Sequence, residues 1–309
     1  MKDKIDLIML NWNGLEYSKM LVDTLFRNTS HPFNLIVVDN ASSQPGTKEY
    51  FNSLIELNKN VIVHYSKVED SGVSEGCNIG LKYSESPYVG FINNDIIVPP
   101  NPKWLDILIE DLKKDPVGAV SCKLVYPNRT IQFGGGLLVG NAFSSLNCFY
   151  HRGRYNRFEE YSFLDSVSML TFAFVILKKE VLGQLDETYR RGYFEDNDKC
   201  MDLLSRGYEL LYDGRVFLYH YESRTTLTLD PNIISQSQFL NAILFRKRWL
   251  PFIWEDLQKR PRFWGWTEDG LGKEIERYKL SGGLWYQNRR LTYEEWNRIV
   301  GKERWKSIK

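Results

Sequence analysis

Tyr88-Val89-Gly90-Phe91-Ile92-Asn93-Asn94-Asp95 is the stretch that decides the reading of this chain. The apolar run reads as a buried strand, and the polar triplet that closes it puts the Asp95 carboxylate where a strand gives way to a loop. Asn93-Asn94-Asp95 differs from an Asp-x-Asp metal motif by an amide at its first position. Asp95 is therefore its strong hard-cation ligand, and an amide oxygen adds coordination to Mg²⁺ or Mn²⁺ with less charge. Solvation or turn formation is the alternative for a single acidic triplet at a strand end.

The same rhythm precedes it. Ile5 to Leu10 is a short apolar run closed by Asn11-Trp12-Asn13-Gly14, and an amphipathic helix is expected from Leu15 to Phe26. Leu35 to Val38 ends in Asp39-Asn40-Ala41-Ser42-Ser43, followed by a helix with Tyr50, Phe51, Leu54 and Ile55 on one face. Val61 to Val63 is a third strand, a helix runs from Glu75 to Ser84, and another starts at Pro102 and stops at Asp115-Pro116. Continuous apolar strands alternating with helices predict an α/β chain with a mostly parallel sheet covered on both faces. Ligands of such sheets bind beyond the carboxyl ends of the strands, where Asn11, Asp39, Glu69-Asp70 and Asp95 would share one rim. Val117 to Val125, Thr130 to Leu138 and Met169 to Leu177 read as strands without intervening helices, so part of the sheet is expected to be mixed. Residues 140 to 165 read as a long loop. A helix is expected from about Asp196 to Gly207, and two strands, Glu209 to Tyr212 and Val216 to Tyr219, then deliver His220.

Composition excludes disorder: 43% of 309 residues are hydrophobic and 26% charged, enough for one large domain with an appended piece. Residues 230 to 309 hold 16 Lys and Arg against 10 Asp and Glu and seven of the nine Trp, so a boundary is placed between a body, 1–229, and a basic, Trp-rich extension, 230–309. Cys77, Cys122, Cys148 and Cys200 show no C-x-x-C pairing, which fits reduced thiols in a cytoplasmic compartment. The start of the chain lacks the apolar core of a signal peptide, and no run approaches the ~20 residues that span a bilayer. Any membrane contact would be peripheral.

Several side chains are candidates for chemistry. Asp39 can accept the ring N–H of a pyrimidine base from its strand end, or close an Asx turn there. The glycines of Gly72 to Gly80 suit a helix start that packs tightly or approaches a ligand, but the G-x-G-x-x-G spacing of dinucleotide oxidoreductases is missing. Glu195-Asp196 follows Tyr193-Phe194, whose rings can wall a pocket that raises a carboxylate toward working pH as a general base; an N-cap with a first-turn charge explains one acid better than two. His220, between Tyr219 and Tyr221, is a metal-ligand candidate or a hydrogen-bonded structural histidine. His31, His64 and His151 have no such context.

Taken in order, Leu10 to Gly14, Val38 to Ser43, Gly76 to Gly80, Asn93-Asn94-Asp95 and Glu195-Asp196 with His220 resemble the family 2 glycosyltransferases, specifically their rhamnosyltransferase-like branch, over about residues 5 to 225. The resemblance implies a GT-A type fold, a Rossmann-like mixed sheet flanked by helices, here with a helical C-terminal extension. It implies an inverting transferase that moves a hexosyl or deoxyhexosyl group from a UDP- or dTDP-sugar to a glycan or lipid-linked acceptor in polysaccharide biosynthesis. Nucleotide contacts would fall to Asn11, Asn13, Asp39, Asp70 and Asn94, and an Mn²⁺ or Mg²⁺ cofactor to Asp95 and His220. Asp196 would be the catalytic base and Glu195 its supporting neighbour, while the cation and Arg224 neutralise the departing diphosphate. Asn93 in place of an acid, and Glu75 with Cys77 where small residues are usual, depart from the pattern.

The extension suits an anionic membrane surface, stacked sugar or single-stranded nucleic acid. Packing on the catalytic body is favoured, since Trp is mostly buried, and no nucleic acid partner is expected. Two other functions compete. A carbohydrate-binding or scaffold protein on a degenerate transferase fold finds its argument in Asn93. A sugar nucleotidyltransferase would open with a Gly-rich, Arg-containing loop, which Asn11-Trp12-Asn13-Gly14 is not.

Overall fold

The computed structural model describes residues 3–67, 72–138, 149–222 and 231–264, together with a pair of two-residue strands, Trp285–Tyr286 and Arg289–Arg290. The first third alternates as its apolar periodicity demands: β1 (Ile5–Asn11), α1 (Leu15–Asn28), β2 (Phe33–Asp39), α2 (Thr47–Leu57), β3 (Val61–Tyr65), α3 (Val73–Leu81) and β4 (Tyr88–Asn93). These four strands are parallel in the order β4-β1-β2-β3. Register then levels their polar ends, because Asn11 stands opposite Asp39 and Leu10 opposite Asn93.

The second part contains β5 (Ile96–Ile97), α4 (Trp104–Leu112), β6 (Val117–Val125), β7 (Ile131–Phe133), β8 (Gly136–Leu138), β9 (Phe149–His151), β10 (Leu164–Ser166), β11 (Phe174–Lys178), α5 (Lys179–Leu182), α6 (Glu195–Ser205), β12 (Glu209–His220) and α7 (Pro231–Lys259). The main sheet runs β10-β12-β6-β11-β4-β1-β2-β3, with β11 antiparallel to both neighbours, so it is mixed as expected.

Four expectations change. The run Thr130 to Leu138 is two short strands, because Gly135 adopts φ +92° between them and turns β8 away to pair with β9. The run from Met169 becomes extended at Phe174 after a turn at Phe172–Ala173. The two strands expected before His220 are one twelve-residue strand whose pairing with β6 shifts register between Asp213 and Phe217. Ile55 is exposed rather than turned inward with Phe51 and Leu54.

α3 lies against β1 and β2, and its glycines permit the contact. A methyl group at Gly80 would stand 2.5 Å from Ile8 Cγ2, and one at Gly76 2.9 Å from Leu10 Cδ2. Exposed helix positions gain up to ~1 kcal/mol when Gly becomes Ala. Here Ile8 is fully enclosed and cannot yield, and overpacking at ~1–3 kcal/mol outweighs that gain. Gly80→Ala is expected to destabilise the chain by about 1–2 kcal/mol in urea denaturation; unchanged or raised stability would show that the α3–β1 contact is loose.

Candidate active site

At the ends of β1 and β2 a buried amide and a buried carboxylate meet. Asn11 Nδ2 donates to Asp39 Oδ1 at 2.7 Å and to Ser42 Oγ at 3.0 Å, and the Ser42 hydroxyl and amide both donate to the Asp39 carboxylate. Asp39 therefore closes its own loop as an Asx turn would. A carboxylate accepts about four hydrogen bonds, and among the described residues three are used, which leaves one acceptor site on Oδ2. Asn11 Oδ1 accepts from Ser18 Oγ at 2.7 Å and from Asn94 Nδ2 at 3.2 Å. Asn13, left-handed at φ 51°, spends its side-chain oxygen on the amides of Ser43 and Gln44. Asn11, Asn13, Asp39 and Asn94 thus form one hydrogen-bonded corner. Asp70, Glu69 and Arg224 lie outside the described residues.

The next residue faces elsewhere. Antiparallel pairing of β5 with β12 sets His220 opposite Ile96, and Asp95 Oδ1 comes to 3.1 Å from His220 Nε2. His220 Nδ1 is 2.6 Å from Gln132 Oε1, an acceptor-only atom, so Nδ1 carries the proton and the Nε2 of a neutral ring turns its lone pair toward Asp95. Two electron-rich atoms face each other, both buried, and a proton or a cation between them resolves the repulsion. Adjacent ligands on an octahedral cation with bonds of ~2.1 Å stand about 3 Å apart, so the imidazole and carboxylate fit a divalent ion of the Mn²⁺ or Mg²⁺ kind. Among the described residues no three His, Cys, Asp or Glu side chains gather at metal-binding spacing, so a substrate oxygen or water would have to complete such a shell.

Glu195 and Asp196 open α6. The N-cap position belongs to Phe194, which caps with no side chain, so both acids lie inside the first turn. Both line a cleft of about 660 Å³ that His220 and Asn93 also line. Glu195 is 8% exposed and its Oε2 has no partner among the described residues. Burial pushes Glu195 up to about 8, reinforced by the Asp196 charge. Burial also pushes Asp196 up to about 6, against hydrogen bonds from the Asn197 and Phe172 amides that favour its charged form. Both shifts hold protons on the pair above the ordinary carboxylate range, so the two acids resist carrying two negative charges at once, and the ionised one can take a proton from a ligand hydroxyl.

The far wall of the cleft comes from beyond residue 230: Gln238, Phe239 and Ala242 of α7 line it. This helix is fastened to the body. Asp198 Oδ1 receives Arg248 Nη1 at 2.8 Å, Trp249 Nε1 at 2.6 Å and the Tyr189 hydroxyl at 2.9 Å, and Arg248 also pairs with Asp186 at 2.5 Å. The Arg248 charge and the Trp249 indole are thus spent inside the chain, as the packed reading of the extension expects for this helix. The tail past residue 264, apart from the two short strands, lies outside the described residues.

His220, Glu195 and Asp196 line one cleft, and Asp95 contacts His220 without lining it, while Asp39, Asn11 and Asn13 form the separate corner on the other side of Asn94. Gln132 and Asn241 act on the site without any mark in motif spacing. His151 also lines the cleft, its ring pushed down to about 4 by burial and the nearby Arg154 charge. His31 is structural, held between Asp106 and the Asp3 carbonyl.

Comparison with known proteins follows this geometry. The family described as "Glycosyl transferase family 2" matches residues 6–185, more than half of the chain. The chain belongs to this family. Two curated relatives are an uncharacterized protein, y4gI, of Sinorhizobium fredii (26% identity, 71% of this chain, 24% of the relative) and the O-antigen biosynthesis protein RfbC of Myxococcus xanthus (28%, 71% and 17%). This family 2 chain spans about a quarter or less of either. Its fold resembles GalNAc-T7 solved with UDP, GalNAc and Mn²⁺ (TM-score 0.67, 13% identity, 99% of this chain and 58% of that one). It also resembles Staphylococcus aureus TarS (0.53, 15%, 100% and 83%) and the Pyrobaculum calidifontis mannosyltransferase PcManGT solved with GDP-Man and Mn²⁺ (0.51, 14%, 97% and 86%). The architecture is thus the GT-A fold. Among the described residues no helix is long and apolar enough to cross a membrane.

The raised Glu195 has a consequence for stability. The folded chain keeps that proton up to about pH 8, whereas an unfolded Glu releases it near 4.3. Between those values the folded state holds the extra proton, so stability falls as pH rises. Glu195→Gln removes the ionisation and is expected to stabilise the family 2 chain by about 2–4 kcal/mol at pH 8 and little at pH 4.5, read from denaturation at the two pH values. Equal effects at both would place the Glu195 carboxyl in water.

Proposed function

We propose that this family 2 chain is an inverting, divalent-cation-dependent glycosyltransferase that moves a hexosyl or deoxyhexosyl group from a UDP- or dTDP-sugar to a hydroxyl of a glycan or lipid-linked acceptor. The observation that carries the reading is the cleft that the Glu195–Asp196 pair lines together with His220 and Asn93. The acceptor oxygen attacks the anomeric carbon from the face opposite the nucleotide, its proton passes to Asp196, and the bond from that carbon to the diphosphate breaks. Glu195 stays protonated, so no second negative charge opposes the approach. Asp95 and His220 would hold the cation, which when bound neutralises charge on the leaving diphosphate. The one free acceptor site on Asp39 suits the ring N–H of a uracil or thymine. RfbC is named for O-antigen biosynthesis, and a polysaccharide intermediate is the acceptor class that this likeness favours.

A screen of UDP-, dTDP- and GDP-sugars with and without Mn²⁺ tests the reading, by thermal shift for binding and by nucleoside diphosphate release for turnover. Asp196→Asn should cut turnover by about 10²–10⁴-fold and leave UDP affinity in calorimetry nearly unchanged; turnover like that of the unmodified chain refutes the base. Turnover divided by the Michaelis constant should rise with pH through about 6, where Asp196 ionises. Donor binding without turnover toward any acceptor would favour the degenerate, carbohydrate-binding alternative, for which the Asn93 amide argues. Mn²⁺ should strengthen UDP binding, and His220→Ala should abolish that gain; an Mn²⁺ effect that survives the substitution moves the cation elsewhere.

A further inference from the structure

The loop that leads into α6 is held in a conformation that its own residues disfavour. Arg191, Gly192, Tyr193 and Phe194 are left-handed in succession, with φ of 63°, 117°, 71° and 72°. Three of the four carry side chains, and each such residue costs roughly 1–2 kcal/mol in that region. None is Asn or Asp, whose side chains ease the cost, so the conformation has to be imposed from outside the loop.

Asn241 of α7 is placed to impose it. Its side-chain amide nitrogen lies 3.0 Å from the Arg190 carbonyl, 2.9 Å from that of Gly192 and 3.1 Å from that of Tyr193, and its oxygen accepts from the Arg190 amide at 3.3 Å. An amide nitrogen carries two hydrogens, so the three carbonyls share them. The left-handed run is what turns these carbonyls onto one point. Asn241 is 2% exposed, so its polar atoms have the loop in place of water. One turn further along, Phe245 packs against the Phe194 ring at 5.6 Å, and two turns further, Arg248 and Trp249 fasten the helix to Asp198. α7 therefore grips the chain on both sides of Glu195 and Asp196.

We propose that Asn241 is a positioning residue for the acid pair: by locking the left-handed loop 191–194 onto α7, it aims Glu195 and Asp196 into the cleft. The role rests on the proposed glycosyl transfer only in taking that pair as the catalytic one. Without the amide the loop relaxes toward ordinary φ values, α6 unwinds or rotates at its first turn, and the two carboxyls gain water. Nucleotide contacts at the Asp39 corner stay as they are.

Asn241→Ala tests this in three readouts. Amide hydrogen exchange should accelerate about ten-fold or more over residues 190–197 and not in β1 to β4. In a carbon-13 titration the Glu195 and Asp196 carboxyls should both move toward ordinary carboxylate values. Turnover of whichever of UDP-glucose, UDP-N-acetylglucosamine, GDP-mannose or dTDP-rhamnose the unmodified chain hydrolyses should fall about 10–100-fold, with the Michaelis constant within about two-fold. Trp104→Phe is the control, since it removes the hydrogen bond from this α4 indole to Thr29, away from the cleft and from α7, and should lower the melting temperature without moving the carboxyls or the turnover. If Asn241→Ala does not fold, Asn241→Ser, which keeps one donor, is read the same way with smaller effects. Unchanged exchange and titration, or full turnover with only a lower melting temperature, overturns the proposal. Failure of the unmodified chain to hydrolyse any of the four donors instead counts against glycosyl transfer, and exchange and titration still decide Asn241.

Discussion

Three consecutive side chains at the end of β4 point to different places, and the site depends on that divergence. Asn94 turns inward, where its amide reaches Asn11, Ser18 and the Gly14 carbonyl. Asn93 and Asp95 turn toward His220. An unmatched buried amide costs about 1–3 kcal/mol, so the loop cannot rotate to put Asp95 in the place of Asn94 without losing three partners at once. Polar satisfaction on one side thus presents a carboxylate on the other, and it joins the Asp39 corner to the cleft through a single residue.

Two opposing effects act on the acid pair, and their sizes decide its protonation. The N-terminus of α6 favours negative charge, worth about 0.3–1 kcal/mol per group near the surface. Loss of water and the proximity of two like charges work the other way, and they prevail, because both carboxyls are raised rather than lowered. Phe194 and, from α7, Gln238, Phe239 and Ala242 line the same cleft as the two acids, whereas the Tyr193 ring is exposed.

Much of this was legible in the residues. The alternation of apolar runs and amphipathic stretches gives the four parallel strands, though not their order, and Asn11 and Asp39 at their ends do meet, with Asn94 beside them. Asp95, His220 and the Glu-Asp pair were readable because each stands where an element starts or stops. What the residues hid lies in pairings between distant segments. Gln132 meets His220 across 88 positions and fixes its tautomer, and Asn241 meets Arg190 across 51. Asn241 stands one helical turn before the apolar Leu244 and Phe245, but periodicity alone cannot say what it bonds. Charge counting has the same blind spot, since it registers Arg248 as basic and cannot show that two carboxylates already hold it.

Because α7 is one continuous helix, its tasks are mechanically coupled. Residues three or four apart on a helix sit about 5–6 Å from each other on one face, so Gln238, which lines the cleft, shares a face with Asn241, which holds the loop before the acids. A displacement that reshapes the wall is transmitted to the loop within a single turn, since a helix rises only ~1.5 Å per residue and resists bending over that length. The shape of the wall and the alignment of the acid pair are therefore not independent variables in this fold.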